Sequence, residues 1–220
     1  MNDNYKYYYR RRLPHYQPPG YTYFITFRLA NSLPKQKVLE LINEREKYVK
    51  YISGISNQKT KAEKYYSFQR EIFQKYEDLL DNPKGGPLFL KKYEIACIVK
   101  ESIHYRDNND YLLIAYTIMP NHVHWVITPV LKKYIPKKDH TSPYHVTKIL
   151  QMLKAYTTRK INIVLKRSGQ LWHHESYDHV VRDEDELRRI VNYILYNPVK
   201  AGLVENPYDY EWTYLNEKYL

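Results

Sequence analysis

The sequence predicts an α+β fold in which helices pack on a central antiparallel sheet. Two apolar segments, 111–118 and 122–128, are separated only by Met119, Pro120 and Asn121. A connection this short can join two strands only if they run antiparallel. The segments on either side of this hairpin place apolar residues at helical spacing. Strands and helices therefore alternate along the chain, as in sheets covered by helices.

The composition fits one nucleic-acid-binding domain with insertions. The chain has 220 residues, of which 43% are hydrophobic, so it can bury a core. Its 35 basic and 24 acidic residues leave a net charge of +11, which attracts polyanions and makes nucleic acid the leading partner. A charge that only aids solubility is the alternative. The single cysteine, Cys97, excludes a disulfide framework and a cysteine-based zinc site.

The first 20 residues predict a basic N-terminal arm that precedes the first strand. Prolines interrupt the arm, and tyrosines lie next to Arg10, Arg11 and Arg12. Aromatic rings and cations together suit base stacking and phosphate contact, and a solubilising tail is an equal alternative. Residues 21–29 alternate and are rich in β-forming side chains, which predicts a strand.

Three helices are expected before the hairpin, over 34–53, 59–81 and 88–105. The second is highly charged and predicts a surface helix. Residues 82–87, rich in glycine and proline, form a loop before the third. We therefore expect a core domain at 21–205, with a helical insertion at about 35–86 and a C-terminal tail at 206–220.

His122 and His124 are the most informative pair in the chain. They occupy positions i and i+2 of a predicted strand, so both side chains project from the same face. Val123, Trp125 and Ile127 then face the opposite way, into the core. Imidazole is the commonest metal ligand among side chains, so the pair could form half of a metal site. Alone, a His-x-His pattern is weak, because structural histidines are more frequent.

After the hairpin, a basic helix is expected over 144–167. Its cations Lys148, Lys154 and Arg159 lie close in sequence to the histidine pair, which favours DNA contact over a merely solvated face. The next segment, 171–181, contains His173, His174, Tyr177 and His179. These histidines could bind phosphate or a second metal, although surface or hydrogen-bonding roles are the simpler interpretation.

The last helix is expected from the acidic residues at 183–186, which suit a helix N-terminus, to Asn197, where Pro198 follows. At 100° per residue, Tyr193 lies beside the apolar stripe, in line with Asn197 and Lys200, whereas Tyr196 points away from the core. Tyr193 can therefore reach over a sheet, with Asn197 one turn beyond it. An ordinary amphipathic helix with a packed tyrosine is the alternative.

No apolar signal-peptide core begins the chain, and no apolar run approaches the length of a membrane span. A cytoplasmic location without membrane partners is expected. Tyrosine is unusually abundant, at 26 residues, so a tyrosine nucleophile would have to be chosen among many.

The sequence resembles the single-tyrosine HUH transposases, and most closely the REP-associated tyrosine transposases of bacteria. The resemblance spans nearly the whole chain. It is carried by Met119-Pro-Asn-His-Val-His-Trp-Val-Ile, Glu175-Ser-Tyr-Asp-His-Val-Val-Arg-Asp and Tyr193-Ile-Leu-Tyr-Asn-Pro-Val-Lys-Ala-Gly-Leu-Val. The opening Arg11-Arg-Leu-Pro-His-Tyr through Tyr23-Phe-Ile-Thr-Phe-Arg is also similar.

The resemblance implies an HUH endonuclease fold and a division of roles. His122 and His124 would bind a divalent metal, Mg²⁺ or Mn²⁺, with Asn197 as third ligand. Tyr193 would attack DNA to form a 5′-phosphotyrosine. In the insertion-sequence members glutamine typically occupies the position of Asn197, which is one methylene shorter. Tyr177 is a secondary candidate for the nucleophile.

The implied substrate is single-stranded or hairpin DNA, handled by a monomer or homodimer. Candidate DNA contacts are the N-terminal arginines Arg10, Arg11 and Arg12 and the helical cations Lys148, Lys154, Arg159 and Lys200. Two alternatives stay open: a catalytically silent, domesticated DNA-binding regulator, and a metal-dependent nuclease that uses water as its nucleophile.

Overall fold

The computed structural model describes residues 8–10, 14–81, 85–130 and 145–219. The chain divides into two compact units, one made of Met1–Ala30 and Leu88–Leu220, the other of Asn31–Pro87. The residues of the predicted HUH site all belong to the first unit.

The first unit is built on a five-stranded antiparallel sheet. The strands are β3 (Thr22–Arg28), β4 (Tyr111–Ile118), β5 (His122–Pro129), β6 (Tyr177–Val181) and β7 (Thr213–Leu215). Their spatial order is β6-β3-β5-β4-β7, so the histidine strand β5 lies at the centre. Every neighbouring pair runs antiparallel, which confirms the α+β prediction.

One face of this sheet forms the hydrophobic core with α3 (Tyr93–Arg106) and α4 (His145–Val164). Trp125 of β5 is fully buried there and makes an edge contact with Phe27 of the neighbouring strand at 6.2 Å. Burying side chains of this size contributes most of the favourable free energy of folding. Core side chains from the helices include Ile95, Val99, Ile103, Ile149, Leu153 and Ile161.

The opposite face carries the histidines and receives α5 (Glu184–Lys200). Asp183 caps this helix by accepting the backbone N–H of Glu186 at 2.7 Å. The predicted end at Asn197 is wrong, because the helix continues through Pro198 to Lys200. Proline removes one hydrogen bond in the last turn, but the N–H of Ala201 still bonds to the Asn197 carbonyl at 2.9 Å.

Two other segments differ from the expectation. The predicted helix 88–105 is a short 3₁₀ turn at Phe89–Lys91 followed by α3, because Lys92 adopts an extended backbone. The Leu90 N–H donates to Pro120 at 3.2 Å, which joins this turn to the β4–β5 connection. The segment 206–220, expected as a tail, contributes the edge strand β7, which pairs with β4.

The N-terminal segment includes two short strands, β1 (Tyr8–Arg10) and β2 (Pro14–Tyr16), paired antiparallel. The expected arm therefore contains paired backbone. Arg11 and Arg12 lie outside the described residues, as does the side chain of Arg10. Among the helices that the structure describes, none combines the length and apolarity needed to cross a bilayer.

The second unit is a helical hairpin that holds most of the expected insertion at 35–86. It consists of α1 (Lys35–Ser53) and α2 (Gln58–Asp81). Tyr48 stacks on Phe68 with ring centroids 3.8 Å apart. Most described side chains of α2 are exposed or half-buried, as expected for a surface helix, but a stripe of it is buried. The buried residues on α2 are Phe68, Ile72, Glu77, Leu80 and Asp81.

Glu186 is expected to be a pH-dependent anchor for α5. Burial raises the pKa of this carboxyl, but hydrogen bonds from Arg182 and His179 outweigh it and hold the pKa at about 2. Because this pKa is lower in the folded than in the unfolded protein, the ionised carboxylate stabilises the fold above pH 4.5. The stabilisation is lost as pH falls from 4.5 towards 2. Glu186→Gln should therefore lower the free energy of unfolding at pH 7 by about 1–3 kcal/mol.

Urea denaturation at pH 7 and pH 3 measures this difference, which should shrink at the lower pH. Glu184→Gln, on the same first turn but exposed, is the matched control and should change the free energy of unfolding little. Equal effects of both substitutions at pH 7 would contradict the assignment.

Candidate metal and nucleophile site

The two histidines lie at the centre of the sheet and are completely buried. In the cross-strand register, His124 lies between Thr26 of β3 and Thr117 of β4, and His122 is opposite Arg28. Directly opposed residues of an antiparallel pair project from the same face. Thr26, His124 and Thr117 therefore form a polar row across the histidine face of the sheet.

The two imidazoles point their Nε2 atoms at each other. The Nε2 atoms are 2.9 Å apart, and the ring centroids are 4.5 Å apart at an interplanar angle of 74°. The other nitrogen of each ring is engaged, since His122 Nδ1 lies 2.6 Å from Asn121 Oδ1 and His124 Nδ1 lies 2.9 Å from Thr26 Oγ1. Two histidines held in this way can supply two nitrogen ligands to one cation.

Burial keeps His122 neutral. Desolvation, followed by the proximity of His124, lowers the pKa of His122 well below its ordinary value. A neutral imidazole is the form that binds a metal. The electrostatics of the site therefore match its geometry.

Tyr193 contacts one member of the histidine pair. Its ring makes an edge contact with His124, with centroids 5.2 Å apart, and the Asn197 amide Nδ2 donates to its phenol oxygen at 3.1 Å. Tyr193 is half-buried and Asn197 is buried, whereas Tyr196 is 53% exposed. The structure thus brings together His122, His124, Tyr193 and Asn197, the four residues that the sequence selected.

Phe24 contacts three other aromatic side chains around the site. It stacks on His124 with centroids 5.6 Å apart and makes edge contacts with Tyr193 at 6.1 Å and Tyr177 at 6.5 Å. In the strand register Thr26 lies between Tyr177 and His124, while Tyr193 contacts His124 directly. This arrangement favours Tyr193 over Tyr177 as a nucleophile.

Sequence reasoning missed three residues of this site: Phe24, Thr26 and Asn121. Thr26 and Phe24 are contributed by β3, and nothing in one sequence gives the register between β3 and β5. Asn121 does carry a signal, because it directly precedes His122, but the sequence predicts only its place in a turn.

The three histidines of segment 171–181 have different surroundings. His179 Nε2 lies 3.1 Å from Glu186 Oε1, and His173 Nδ1 accepts the N–H of Glu175 at 3.2 Å. His174 is exposed. These contacts favour hydrogen-bonding roles for His173 and His179, the simpler of the two interpretations.

The predicted basic residues of α4 lie away from the histidine pair. The α4 helix packs on the Trp125 face, whereas the histidines project from the opposite face, so closeness in sequence was misleading. Lys154 donates to the His173 carbonyl at 2.9 Å and lies over the Phe27 ring. Lys148 is half-buried and Arg159 is exposed on α4, while Lys200 is exposed at the end of α5.

Comparison with known proteins finds the same family that the sequence motifs resemble. The chain is 29% identical over 110 residues to a Haemophilus influenzae protein named "Putative REP-associated tyrosine transposase", covering 46% of this chain and 56% of the relative. It also matches a solved structure of a REP-associated tyrosine transposase bound to a REP hairpin. The chain resembles REP-associated tyrosine transposases.

The structural match covers 93% of this chain and 80% of the solved chain, with a TM-score of 0.50 and 17% sequence identity. At this identity it shows a shared fold, in agreement with the fold that the sequence predicts. The chain spans about half the length of the curated relative that it matches. No family model matches the sequence.

The lowered pKa of His173 can be tested through the pH dependence of protein stability. Burial, together with the positive charge of Arg28 and Lys154, lowers the pKa of His173 to about 4. Because His173 binds a proton less readily in the folded than in the unfolded protein, protonation opposes folding. The free energy of unfolding should therefore be highest above pH 6.5 and fall as the pH drops from 6.5 towards 4. The loss should be of the order of 1–3 kcal/mol.

His173→Gln should lose less stability than wild type when unfolding is measured by urea denaturation at pH 7 and pH 4. His174→Gln, on the adjacent exposed residue, is the control and should follow wild type. An unchanged acid sensitivity in His173→Gln would exclude this residue as the source.

Proposed function

We propose that this protein cleaves and rejoins single-stranded or hairpin DNA, with Tyr193 as the nucleophile. The observation that carries the proposal is the contact of Tyr193 with His124, one of two buried histidines whose Nε2 atoms converge. The sequence and fold likeness to REP-associated tyrosine transposases supports the same reaction class. The fold alone would not specify a reaction.

The residues at the centre of the sheet fit a divalent cation. His122 and His124 would hold it, and the carboxamide oxygen of Asn197 is the proposed third ligand. A cation bound there would neutralise the non-bridging oxygens of a phosphodiester and make its phosphorus more open to attack. Mg²⁺ or Mn²⁺ is proposed from the family resemblance, since imidazole ligands alone favour softer metals.

Tyr193 supplies the oxygen that attacks. The phenol loses its proton and its oxygen forms a bond to phosphorus; the bond from phosphorus to the 3′ oxygen breaks, and the released 3′ oxygen takes up a proton. The products are a 5′-phosphotyrosine and a free 3′-OH, so the phosphoester bond is conserved for rejoining. An Asn197 N–H directed at the phenol oxygen would stabilise the negative charge on that oxygen and hold the ring in place.

DNA is proposed to approach the histidine face near Lys200, at the end of α5. A second contact is proposed on α4, which contains four basic residues and no acidic ones. Arg159 and Lys160 are exposed there, on the face of the sheet opposite the histidines. A hairpin longer than the site could reach this surface with its stem, where phosphate contacts would add affinity without reading sequence.

A catalytically silent DNA-binding regulator is the second candidate. Such a regulator would have the same fold and the same basic side chains but no functioning nucleophile. A water-dependent nuclease is the third candidate, and it would cleave DNA without attaching to it. Covalent attachment and cleavage together distinguish all three.

Tyr193→Phe should abolish the covalent adduct. We expect wild-type protein, incubated with end-labelled hairpin DNA and Mn²⁺, to retain label on the protein band after denaturing electrophoresis. Removing one hydroxyl leaves the ring contacts with His124 and Phe24 intact, so folding should be unchanged. Tyr196→Phe and Tyr177→Phe are the matched controls and should retain the adduct.

Three outcomes would reject the proposal. Cleavage without an adduct in wild type indicates attack by water, and an adduct that persists in Tyr193→Phe moves the nucleophile to another tyrosine. Binding with no cleavage of any repetitive hairpin tested would support the silent regulator.

Replacing Arg159 and Lys160 by glutamine should weaken binding of hairpin DNA mainly at low salt. Each phosphate contact that is lost should reduce the slope of log K against log salt by about 0.7–0.9. Fluorescence anisotropy over a series of NaCl concentrations measures this slope. The double variant Lys91→Gln, Lys92→Gln removes the same charge from another exposed place, and an equal change in its slope would contradict a specific surface on α4.

A further inference from the structure

Two exposed tyrosines lie near each other on helices α3 and α4, which pack together on the core face of the sheet. Tyr105, in the last turn of α3, is 78% exposed, and Tyr156 of α4 is 38% exposed. Single exposed apolar side chains are common on protein surfaces and need no special explanation. These two rings differ from such residues because they share one cation.

The shared cation is Arg106. Its guanidinium carbon is 5.9 Å from the centre of the Tyr105 ring and 6.0 Å from the centre of the Tyr156 ring. Its Nη1 donates to the Ser102 carbonyl at 3.0 Å and to the Ser102 hydroxyl at 2.9 Å. Its Nε lies 4.0 Å from the Asp110 carboxylate, and only 13% of the side chain is exposed. Arg106 is therefore held in place, and both rings lie within cation–π distance of it.

Helix α4 adds further positive charge beside Tyr156. Lys160, one turn later, has its Nζ 5.9 Å from the centre of the Tyr156 ring. Lys160 and Arg159 are both exposed, and α4 contains no acidic residue. The carboxylates of this surface lie on the α3 side, at Glu101 and Asp110. The positive potential is therefore concentrated along α4.

We propose that Tyr105 and Tyr156 form a stacking surface for unpaired bases of single-stranded DNA, and that Arg159 and Lys160 contact the phosphates of the same strand. The identity of the partner, DNA, rests on the proposed function, whereas the cleavage step does not enter. A hairpin stem held at Arg159 and Lys160 would bring the unpaired nucleotides beside it onto the two rings.

The chemistry of the surface matches an unpaired strand. Proteins bind single strands by combining cations that follow the phosphates with aromatic rings on which successive bases stack. Because Tyr105 and Tyr156 both lie close to one guanidinium carbon, neighbouring nucleotides of one strand can reach both rings. Bases inside a duplex cannot, since their flat faces are already stacked on each other. The charge distribution places the phosphates along α4 and the bases towards α3.

A second copy of the chain is the alternative occupant. Ile163 and Val164 are also exposed on α4, and their apolar side chains would suit a protein interface. The cations between the tyrosines favour a polyanion instead, because burying an unpaired cation in a protein interface costs free energy. Self-association through this surface is therefore an outcome that the experiment has to exclude.

Fluorescence anisotropy of the full chain in EDTA, where no strand is cut, measures the stacking. The probes are a labelled oligothymidylate, which forms no hairpin, and an abasic strand of equal length. Tyr105→Ala and Tyr156→Ala should each weaken binding of oligothymidylate by about 5–150-fold, the usual effect of losing one stacked base. Phenylalanine at either position keeps the ring and should preserve binding. The abasic strand should bind equally to wild type and to both alanine variants.

The salt dependence separates stacking from charge. Tyr156→Ala should weaken binding by the same factor at every NaCl concentration, whereas Lys160→Gln should reduce the slope of log K against log salt by about 0.7. Tyr51→Ala is the matched control, because Tyr51 is 59% exposed and has Lys64 Nζ 5.9 Å from its ring centre. It lies on the helical hairpin of the second unit, and its removal should leave binding unchanged.

Photo-crosslinking locates the bases on the protein. Oligothymidylate in which iodouracil replaces thymine should crosslink to Tyr105 and Tyr156, as identified by mass spectrometry of the digested complex. Each crosslink should disappear in the corresponding alanine variant. Crosslinks confined to other parts of the chain would overturn the proposal.

The outcomes separate this inference from the proposed function. Oligothymidylate bound equally well by wild type and the alanine variants overturns the stacking surface, and the Tyr193 adduct then decides the function by itself. If wild type binds oligothymidylate as expected but forms no adduct with hairpin DNA, the cleavage reaction is wrong and the stacking surface stands. Weaker binding of the abasic strand by the alanine variants also overturns stacking, as does dissociation of a dimer seen by sedimentation. Melting temperatures identify any variant that fails to fold.

Discussion

The two-residue period of the central strand β5 is the constraint on which the rest of the structure depends. Alternation sends Trp125 to one face of the sheet and His122 and His124 to the other. The apolar face stabilises the sheet through α3 and α4, so the histidine face need not be apolar. A shift of one residue in register would exchange the two sets of side chains and destroy both the core and the site.

The central position of β5 also explains why the orientations of the two histidine rings are fixed. A central strand has neighbours on both sides, and β3 supplies both Thr26 and Phe24 to the surroundings of His124. The rings are therefore oriented by hydrogen bonding and by stacking, on a rigid element rather than a loop. A site that is built before its ligand arrives loses little free energy to ordering when the ligand binds.

Helix α5 completes the arrangement from outside the sheet. Its amphipathic pattern places Tyr193 at the edge of the buried stripe, and its N-terminus is anchored to β6 through Glu186 and His179. The helix thus connects a polar anchor at one end with the phenol and carboxamide near the other. Because the ring and the amide lie one turn apart, their hydrogen bond is local and needs no other element to form.

Much of this could be predicted from the sequence, for identifiable reasons. The His-x-His spacing, the short turn before it and the helical angle of Tyr193 are local properties, and the observed geometry agrees with each of them. Partners contributed by β3 depend on register between distant strands, which no local pattern reveals. The same limit applies to the α4 cations, since a helix near the histidines in sequence packs on the opposite face of the sheet.

The most direct test of the account is a crystal structure with Mn²⁺, examined by anomalous scattering. The account predicts one strong anomalous peak within bonding distance of Nε2 of both His122 and His124, on the side of the sheet that Tyr193 covers. Mn²⁺ bound elsewhere, with the two imidazoles still hydrogen-bonded to each other at saturating Mn²⁺, would contradict it.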